Sequence, residues 1–240
     1  IVEFKYNRKE YTVTYVLHDE NVVRTVKYKG SAEAPSEVAP YTENNITYVF
    51  KEFDKVANKV VEDMTINAIY EVNAITADVK LDDEVIGSAS IKVNNTTKDI
   101  IENNNDATVA QSNIDEINYE TDDDYIYEID KVIYTKDEGF TVIVKRTLKT
   151  YTVTALDNVK VDNKSSVTDV AGTIVNLTHS ELTGKTFKNY IVDDGQTSTV
   201  LTSDTYTIEK KNVSISAIYE DTIYTVTFKY HDRSEEHTSE

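Results

Sequence analysis

Apolar and polar residues alternate along much of this chain, and one alternating stretch occurs twice. Residues 63–71 read DMTINAIYE, and residues 212–220 read NVSISAIYE. Alternation with a period of two is typical of a strand that buries one face. Each stretch therefore predicts a strand, and its recurrence predicts a chain built from repeated units.

A second recurring sequence marks the other end of the unit. Tyr-Thr-Val-Thr occurs at 11–14, at 151–154 and at 224–227, and residues 2–14 align with 142–154 without a gap. The predicted segments are the last strand of a preceding unit (1–10), a first repeat (11–71), a divergent unit (72–150), another repeat (151–220), the start of a truncated repeat (221–232) and a tail (233–240). The tail, RSEEHTSE, resembles the translation of a sequencing adapter and is expected to be an artefact.

The first repeat predicts a hairpin followed by two further strands. Residues 11–17 and 22–28 alternate around the turn sequence HDEN, and residues 31–45 hold both prolines, which predicts a loop or one irregular helical turn. Strands are predicted at 46–50, extending to Phe53, and at 64–70. The expected core residues of this repeat are Phe50, Phe53, Ile66, Ala68 and Tyr70.

The divergent unit predicts strands at 75–81, 85–93, 125–134 and 140–145. Between them, residues 96–103 predict a short helix with Thr96 as its N-cap and Asp99 in its first turn. The repeat at 151–220 predicts strands at 151–156, 166–170 and 186–190 before its closing strand. A β-grasp has this order of elements: two strands, a short helix and two further strands. The expected fold class is mainly β (α+β), as tandem small β-grasp-like modules in an elongated array.

Composition narrows the classes of partner. The formal charge of −18 disfavours nucleic acid and anionic membranes, which bind clustered Lys and Arg. The absence of cysteine removes disulfides, thiolate metal sites and cysteine nucleophiles. No run of about 18 apolar residues occurs, so no membrane insertion of this segment is expected.

No catalytic, cofactor-binding or metal-binding residues are predicted, and the chain is expected not to be an enzyme. His18, His179 and His231 fall in different units, and no HExxH, Walker or Rossmann pattern occurs. Two acidic stretches, Glu120 with 122–124 and residues 193–194, leave weak calcium binding open, although solvated turns are favoured.

Two groups of tyrosines suggest different roles. Tyr11, Tyr70, Tyr151 and Tyr219 recur at fixed repeat positions, which predicts core or inter-unit contacts. A second group lies in the divergent unit: Tyr119, Tyr125, Tyr127 and Tyr134. This second group has two interpretations. It could form a sugar- or peptide-binding face, but the favoured interpretation is a wide sheet that carries tyrosines. Exposed edge strands would also permit pairing with a partner strand.

Several of these sequences together resemble a known family. They are Tyr-Thr-Val-Thr, Lys-Tyr-Lys-Gly at 27–30, the Phe50 and Phe53 pair, and Asp-x-Thr-Ile-x-Ala-x-Tyr at 63–70. They resemble the Listeria–Bacteroides repeat (internalin-type B-repeat) of bacterial surface proteins. The resemblance covers 11–71 well and 151–220 in part, while the divergent unit is similar in layout to the mucin-binding-protein type of β-grasp. The family's Gly-Trp step is replaced by Glu52-Phe53 and by Asn189-Tyr190.

The resemblance implies β-grasp modules strung between a binding domain and a cell-wall anchor, with no catalytic residues. We therefore expect a non-enzymatic stalk or adhesion repeat segment of an extracellular protein, secreted or on a bacterial cell surface. We expect the segment to be monomeric and to have no cofactor. Its expected partner is a host or cell-surface protein or glycan. Two alternatives stay open: a glycan- or protein-binding module that uses the tyrosine-rich sheet of the divergent unit, and an accessory region of a secreted hydrolase.

Overall fold

Strands dominate the structure, which confirms the predicted mainly-β class. The computed structural model describes residue 3 and residues 6–229. The predicted tail at 233–240 and residues 230–232 of the predicted truncated repeat lie outside these described residues. The chain divides after Thr147 into two compact units.

The described residues of the first unit contain ten strands and one α-helix, α1 (Asn95–Asn103). Its strands are β1 (Glu10–Val16), β2 (Asn21–Lys27), β3 (Tyr41–Glu43), β4 (Ile46–Phe53), β5 (Met64–Leu81), β6 (Glu84–Ile91), β7 (Ala107–Val109), β8 (Ile114–Tyr119), β9 (Tyr125–Thr135) and β10 (Gly139–Leu148). A short 3-10 helix, Gln111–Asn113, precedes β8.

The first repeat forms a mixed four-stranded arrangement in the order β2-β1-β5-β4. β1 pairs antiparallel with β2 and parallel with β5, so that Val13 lies opposite Met64. β4 pairs antiparallel with β5 and carries a bulge between Phe50 and Glu52. The predicted hairpin and both later strands are therefore present. The proline-containing loop holds no helical turn but ends in the short strand β3.

The core of this repeat lies under one face of that sheet. Six buried side chains form it: Val13, Tyr15, Val26, Ala57, Val60 and Ile66. Of the expected core residues, Ile66 is fully buried and Phe53 packs against the cluster. Phe50, Ala68 and Tyr70 are only half-buried, because they continue the same face beyond the covering loop, where the aromatic cluster described below lies.

β5 is one continuous strand of 18 residues where two strands had been predicted. Its first half closes the first repeat, and its second half pairs antiparallel with β6 and parallel with β10. The alternation changes phase at Ala74-Ile75, where the pairing with β4 carries a second bulge, but residues 71–75 contain neither Gly nor Pro and the strand continues through the junction. The sheet order β6-β5-β10-β9 in the divergent unit repeats the order of the first repeat.

The turn before β4 packs against the turn between β9 and β10. The Asn44 side-chain amide donates a hydrogen bond to the Lys136 carbonyl at 3.1 Å. Gly139 has a φ of 75°, and a Cβ atom there would collide with the Asn44 carbonyl oxygen. Only glycine meets both demands without strain. Lys80 and Glu138 form an ion pair of 2.8 Å beside the same turn.

The helix begins one residue earlier than predicted, and a different residue caps it. Asn94, not Thr96, is the N-cap, and its side chain accepts a hydrogen bond from the Thr97 amide. The Thr97 hydroxyl accepts in return from the Asn94 amide, which completes a capping box. Asp99 therefore lies beyond the first turn. This nine-residue helix is too short and polar to span a bilayer, and no helix among the described residues does so.

Up to residue 229, the second unit contains eight strands. They are β11 (Thr150–Ala155), β12 (Val159–Val161), β13 (Ser166–Val170), β14 (Ile174–His179), β15 (Lys185–Asp193), β16 (Ser198–Leu201), β17 (Thr205–Thr207) and β18 (Val213–Asp221). A five-stranded sheet has the order β13-β11-β18-β15-β16, and β12, β14 and β17 form a separate three-stranded sheet.

This unit repeats the strand pairing of the first repeat. β11 pairs parallel with β18, so that Val153 lies opposite Val213, as Val13 lies opposite Met64. β15 pairs antiparallel with β18 and carries its bulge between Phe187 and Asn189. Both sheets contribute buried residues to one core, including Val153, Val175 and Ile215. The small sheet thus shares a core with the larger one.

Two predicted strands are absent from the described residues. Residues 6–9, from the predicted strand at 1–10, and residues 222–229, from the predicted opening of a fourth repeat, have no regular secondary structure. Ile223, Tyr224, Val226 and Phe228 alternate with polar residues as a strand would, yet all four are exposed. In the two complete repeats the equivalent Val13 and Val153 are buried by pairing with the closing strand and its neighbours.

Candidate functional site

The repeat tyrosine Tyr70 lies in a cluster of aromatic side chains that the sheet register brings together. The bulge in β4 sets Phe50 opposite Tyr70 and Phe53 opposite Ala68 on β5. The ring centroids of Phe50 and Tyr70 lie 6.3 Å apart, and those of Phe50 and Phe53 lie 4.8 Å apart. Tilted and edge-to-face packing at these distances is favourable.

His18 joins this cluster from the turn between β1 and β2. Its imidazole stacks on the Tyr41 ring at 3.6 Å with an interplanar angle of 2°. Tyr41 stacks on Tyr48 at 4.8 Å and meets the edge of Tyr70 at 5.0 Å. The His18 backbone amide donates a hydrogen bond of 3.2 Å to the Tyr70 hydroxyl. The repeat tyrosine therefore ties the hairpin turn to the closing strand.

A cavity of about 860 Å³ lies beside these rings. Three chain segments and Tyr70 line it: the turn at 17–20, the loop at 36–40, and Val49 with Phe50. We call this cavity the aromatic groove. Its volume falls within the range of about 300–1,000 Å³ that ligand sites occupy.

The aromatic groove is acidic. Asp19, Glu20 and Glu37 line it, and its lining includes no lysine or arginine. Asp19 lies 3.6 Å from the His18 imidazole. Within residues 6–229, neither Glu20 nor Glu37 forms an ion pair.

Burial controls the ionisation of the neighbouring tyrosines. It raises the pKa of Tyr41, and the nearby Glu43 carboxylate adds to that effect. Burial likewise raises the pKa of Tyr48. Both hydroxyls are therefore neutral around pH 7 and add no charge beside the groove.

The second unit has a similar arrangement around its own repeat tyrosine, Tyr219. His179 stacks on Phe187 at 3.7 Å, and the Tyr219 hydroxyl donates a hydrogen bond of 2.6 Å to the Ser180 carbonyl. The His179 Nδ1 atom lies 3.2 Å from the Tyr190 hydroxyl. Burial, with Asp204 second, raises the pKa of Tyr190 to about 12.

The sequence predicts no role for His18 or His179. Both are exposed, and each contacts the repeat tyrosine of its own unit: the His18 backbone amide donates a hydrogen bond to Tyr70, and the His179 ring meets Tyr219 edge-to-face. His18 comes from the turn after β1, whereas His179 ends β14. No fixed spacing relates them to the repeat, so no sequence motif could have found them. The feature that could have indicated these contacts is the position of Phe50 and Phe187, which the strand register sets opposite the two repeat tyrosines.

The tyrosines of the divergent unit do not form one open face. Tyr134 is buried against Phe140, with ring centroids 5.0 Å apart. Tyr119, Tyr125 and Tyr127 are half-buried and pack together. The Arg146 guanidinium lies 4.4 Å from the centroid of Tyr125 and so covers part of that ring.

The acidic stretches serve as turns. The Asp194 carboxylate accepts hydrogen bonds from the Gln196 and Thr197 amides and pairs with Lys211 at 2.9 Å. The Asp122 carboxylate accepts from the Asp124 amide at 2.8 Å. Across the described part of the chain, no three His, Asp or Glu side chains are grouped as a metal site would require.

In comparisons with known proteins, no family model and no curated protein sequence matches this chain. The resemblance to the Listeria–Bacteroides repeat therefore stays a prediction.

Proposed function

We propose that this chain is a non-enzymatic stalk or adhesion repeat segment of a bacterial cell-surface or secreted protein. One observation carries the proposal: residues 11–71 and 151–220 pair their strands in the same order and the same register. Both also place the bulge after the phenylalanine opposite the repeat tyrosine. A duplicated module that keeps this register is typical of repeat proteins, in which each unit buries its own core.

The connections between strands support a mechanical role. β5 passes from the first repeat into the divergent unit without a linker, so bending between these two parts would break hydrogen bonds of a continuous ladder. The order β2-β1-β5-β4, with two parallel strands at the centre, is the order of a β-grasp sheet and supports assigning the repeats to that fold. The acidic surface is consistent with a chain that stays soluble outside the cell.

Small-angle X-ray scattering tests the stalk. A compact protein of this length has a radius of gyration of about 18 Å. The stalk predicts a clearly larger value and a long tail in the pair-distance distribution. The chain ending at residue 229 is the control, since it removes any contribution of the last residues. A value near that of a compact globule for both chains would contradict the proposal.

The aromatic groove favours a second candidate function, a binding module. Its aromatic side chains, its volume and its carboxylates are features of a ligand site, and they lie in the first repeat, not in the divergent unit. A stalk repeat that also binds is an adhesion repeat, so the two functions are compatible.

A further inference from the structure

We propose that the aromatic groove binds a basic peptide segment of a partner protein. One Lys or Arg side chain lays its apolar stem on Phe50 and places its cationic head among Asp19, Glu20 and Glu37. This inference does not depend on the stalk role, because the groove belongs to a single repeat.

Charge complementarity identifies the occupant. Three carboxylates line the groove, and its lining includes no lysine or arginine, in a chain whose net charge is already −18. Such a site repels anionic ligands and attracts cations from a distance. Glu20 and Glu37 form no ion pair within the described residues, so a partner's cation would not have to displace one.

The apolar lining favours an amino-acid side chain over a hydrated metal ion. Leu17, Val49 and Phe50 offer a surface for methylene groups, and Lys and Arg bury such stems while their charged heads stay near water. A cation near the face of an aromatic ring gains further stabilisation.

The ring packing disfavours a neutral glycan. A sugar would stack on a flat, open aromatic face, but Tyr41 is already stacked by both His18 and Tyr48. Tyr70 packs edge-to-face against Tyr41, and its hydroxyl accepts a hydrogen bond from the His18 amide. Phe50 lines the groove and packs against Phe53 and Tyr70 only in tilted and edge-to-face contacts, so no ring is stacked on its face among the described residues.

The second unit provides an internal comparison. Its aromatic cluster is similar, but the two carboxylates that follow Tyr219 are paired with lysines. Glu220 lies 3.0 Å from Lys188, and Asp221 lies 2.6 Å from Lys185. These carboxylates are already paired with cations, unlike Glu20 and Glu37, so we expect the second unit to bind the basic peptide more weakly than the first repeat does.

Fluorescence anisotropy with labelled tetralysine and tetraarginine tests the proposal on the full chain. The triple variant Asp19→Asn, Glu20→Gln, Glu37→Gln should weaken binding by about tenfold or more, since each exposed ion pair contributes up to about 1 kcal/mol. Phe50→Leu keeps the apolar volume and should weaken binding by about threefold to fivefold through the lost cation–π contact. Circular dichroism and thermal unfolding verify that both variants fold.

A matched control removes the same number of charges elsewhere. Asp115→Asn, Asp157→Asn and Glu181→Gln together should leave affinity within about twofold, because these exposed residues lie outside the groove. Equal losses in the two triple variants would mean non-specific attraction and would overturn the proposal. The proposal would also be overturned if neither peptide bound, or if neutral oligosaccharides bound in their place.

Discussion

At the scale of single residues, one side chain joins the two ends of each repeat. The Asp63 carboxylate accepts a hydrogen bond of 2.7 Å from the Thr12 amide, and the Asn212 side-chain oxygen accepts one of 2.8 Å from the Thr152 amide. The two residues occupy the same position before the closing strand. Either a carboxylate or a side-chain amide can therefore accept this hydrogen bond, because both offer an oxygen atom.

We predict that Asp63→Ala lowers the free energy of unfolding by about 1 kcal/mol, the usual net value of such a hydrogen bond. Asp63→Asn should cost less than half as much, because it keeps the acceptor. Urea denaturation followed by circular dichroism measures both. Equal destabilisation by Ala and Asn would mean that the charge, and not the acceptor oxygen, matters.

Asp194 makes the second unit sensitive to acid. Hydrogen bonds from the Thr197 amide, the contact with Lys211 and the Gln196 amide hold the pKa of this carboxyl far below its usual range. Because the folded-state pKa is lowered, the ionised group stabilises the fold above about pH 4, the ordinary value, and this stabilisation is lost as pH falls towards the folded pKa.

Asp194→Asn should therefore destabilise the second unit at pH 7, and the difference from the parent chain should shrink steadily from pH 5 to pH 2. Urea denaturation at each pH, followed through the tyrosine signal, measures this difference. Asp157→Asn, which changes an exposed carboxyl on the same unit, is the control and should show no such trend. A difference that stays constant with pH would show that the lost contacts are not electrostatic.

At the scale of elements, Gly87 allows β6 and β8 to approach each other. A Cβ atom at this position would collide with the Asn118 carbonyl oxygen and with the backbone of Tyr119. Because both obstacles belong to β8 itself, no side-chain rotation relieves them. We expect Gly87→Ala to lower the free energy of unfolding of the first unit by about 1–3 kcal/mol, as overpacking does.

Thermal unfolding of Gly87→Ala beside Ser88→Ala gives the comparison. Ser88 is the exposed neighbour on the same strand, so its substitution should change the midpoint little. If the two variants unfold at the same temperature, the approach of β8 to β6 is looser than the structure describes.

The same scale explains which elements could be predicted. The period-two pattern gives β1, β2, β4, β9 and β10 to within a few residues, since each carries apolar residues at alternate positions. It divides β5 wrongly because the alternation changes phase at Ala74-Ile75, where a bulge and not a turn shifts the buried face. The strands β12, β14 and β17 were missed because each is short or lies among turn residues, and their pairing is set by the core that they cover. The aromatic groove depends on contacts between His18, Tyr41 and Tyr70 that no local pattern contains.

At the scale of the whole molecule, the described residues form three buried clusters. One surrounds Ile66, a second contains Ile91, and a third contains Ile215. The first two lie in the unit that ends at Thr147, and β4 and β5 run through both of them. Loss of either cluster removes pairing partners from the same two strands, so these clusters should unfold together.

We therefore predict two unfolding transitions and not three. Ile66→Val and Ile91→Val should each lower the same transition, and Ile215→Val should lower the other, each by about 1 kcal/mol. Differential scanning calorimetry resolves the transitions, and Ile69→Val, at an exposed position on β5, is the control. If Ile66→Val moved a transition that Ile91→Val left unchanged, the first repeat would be an independent folding unit in spite of the strand it shares. In that case the junction within β5 could yield under load, and the stiffness that we assign to this part of the proposed stalk would have no basis.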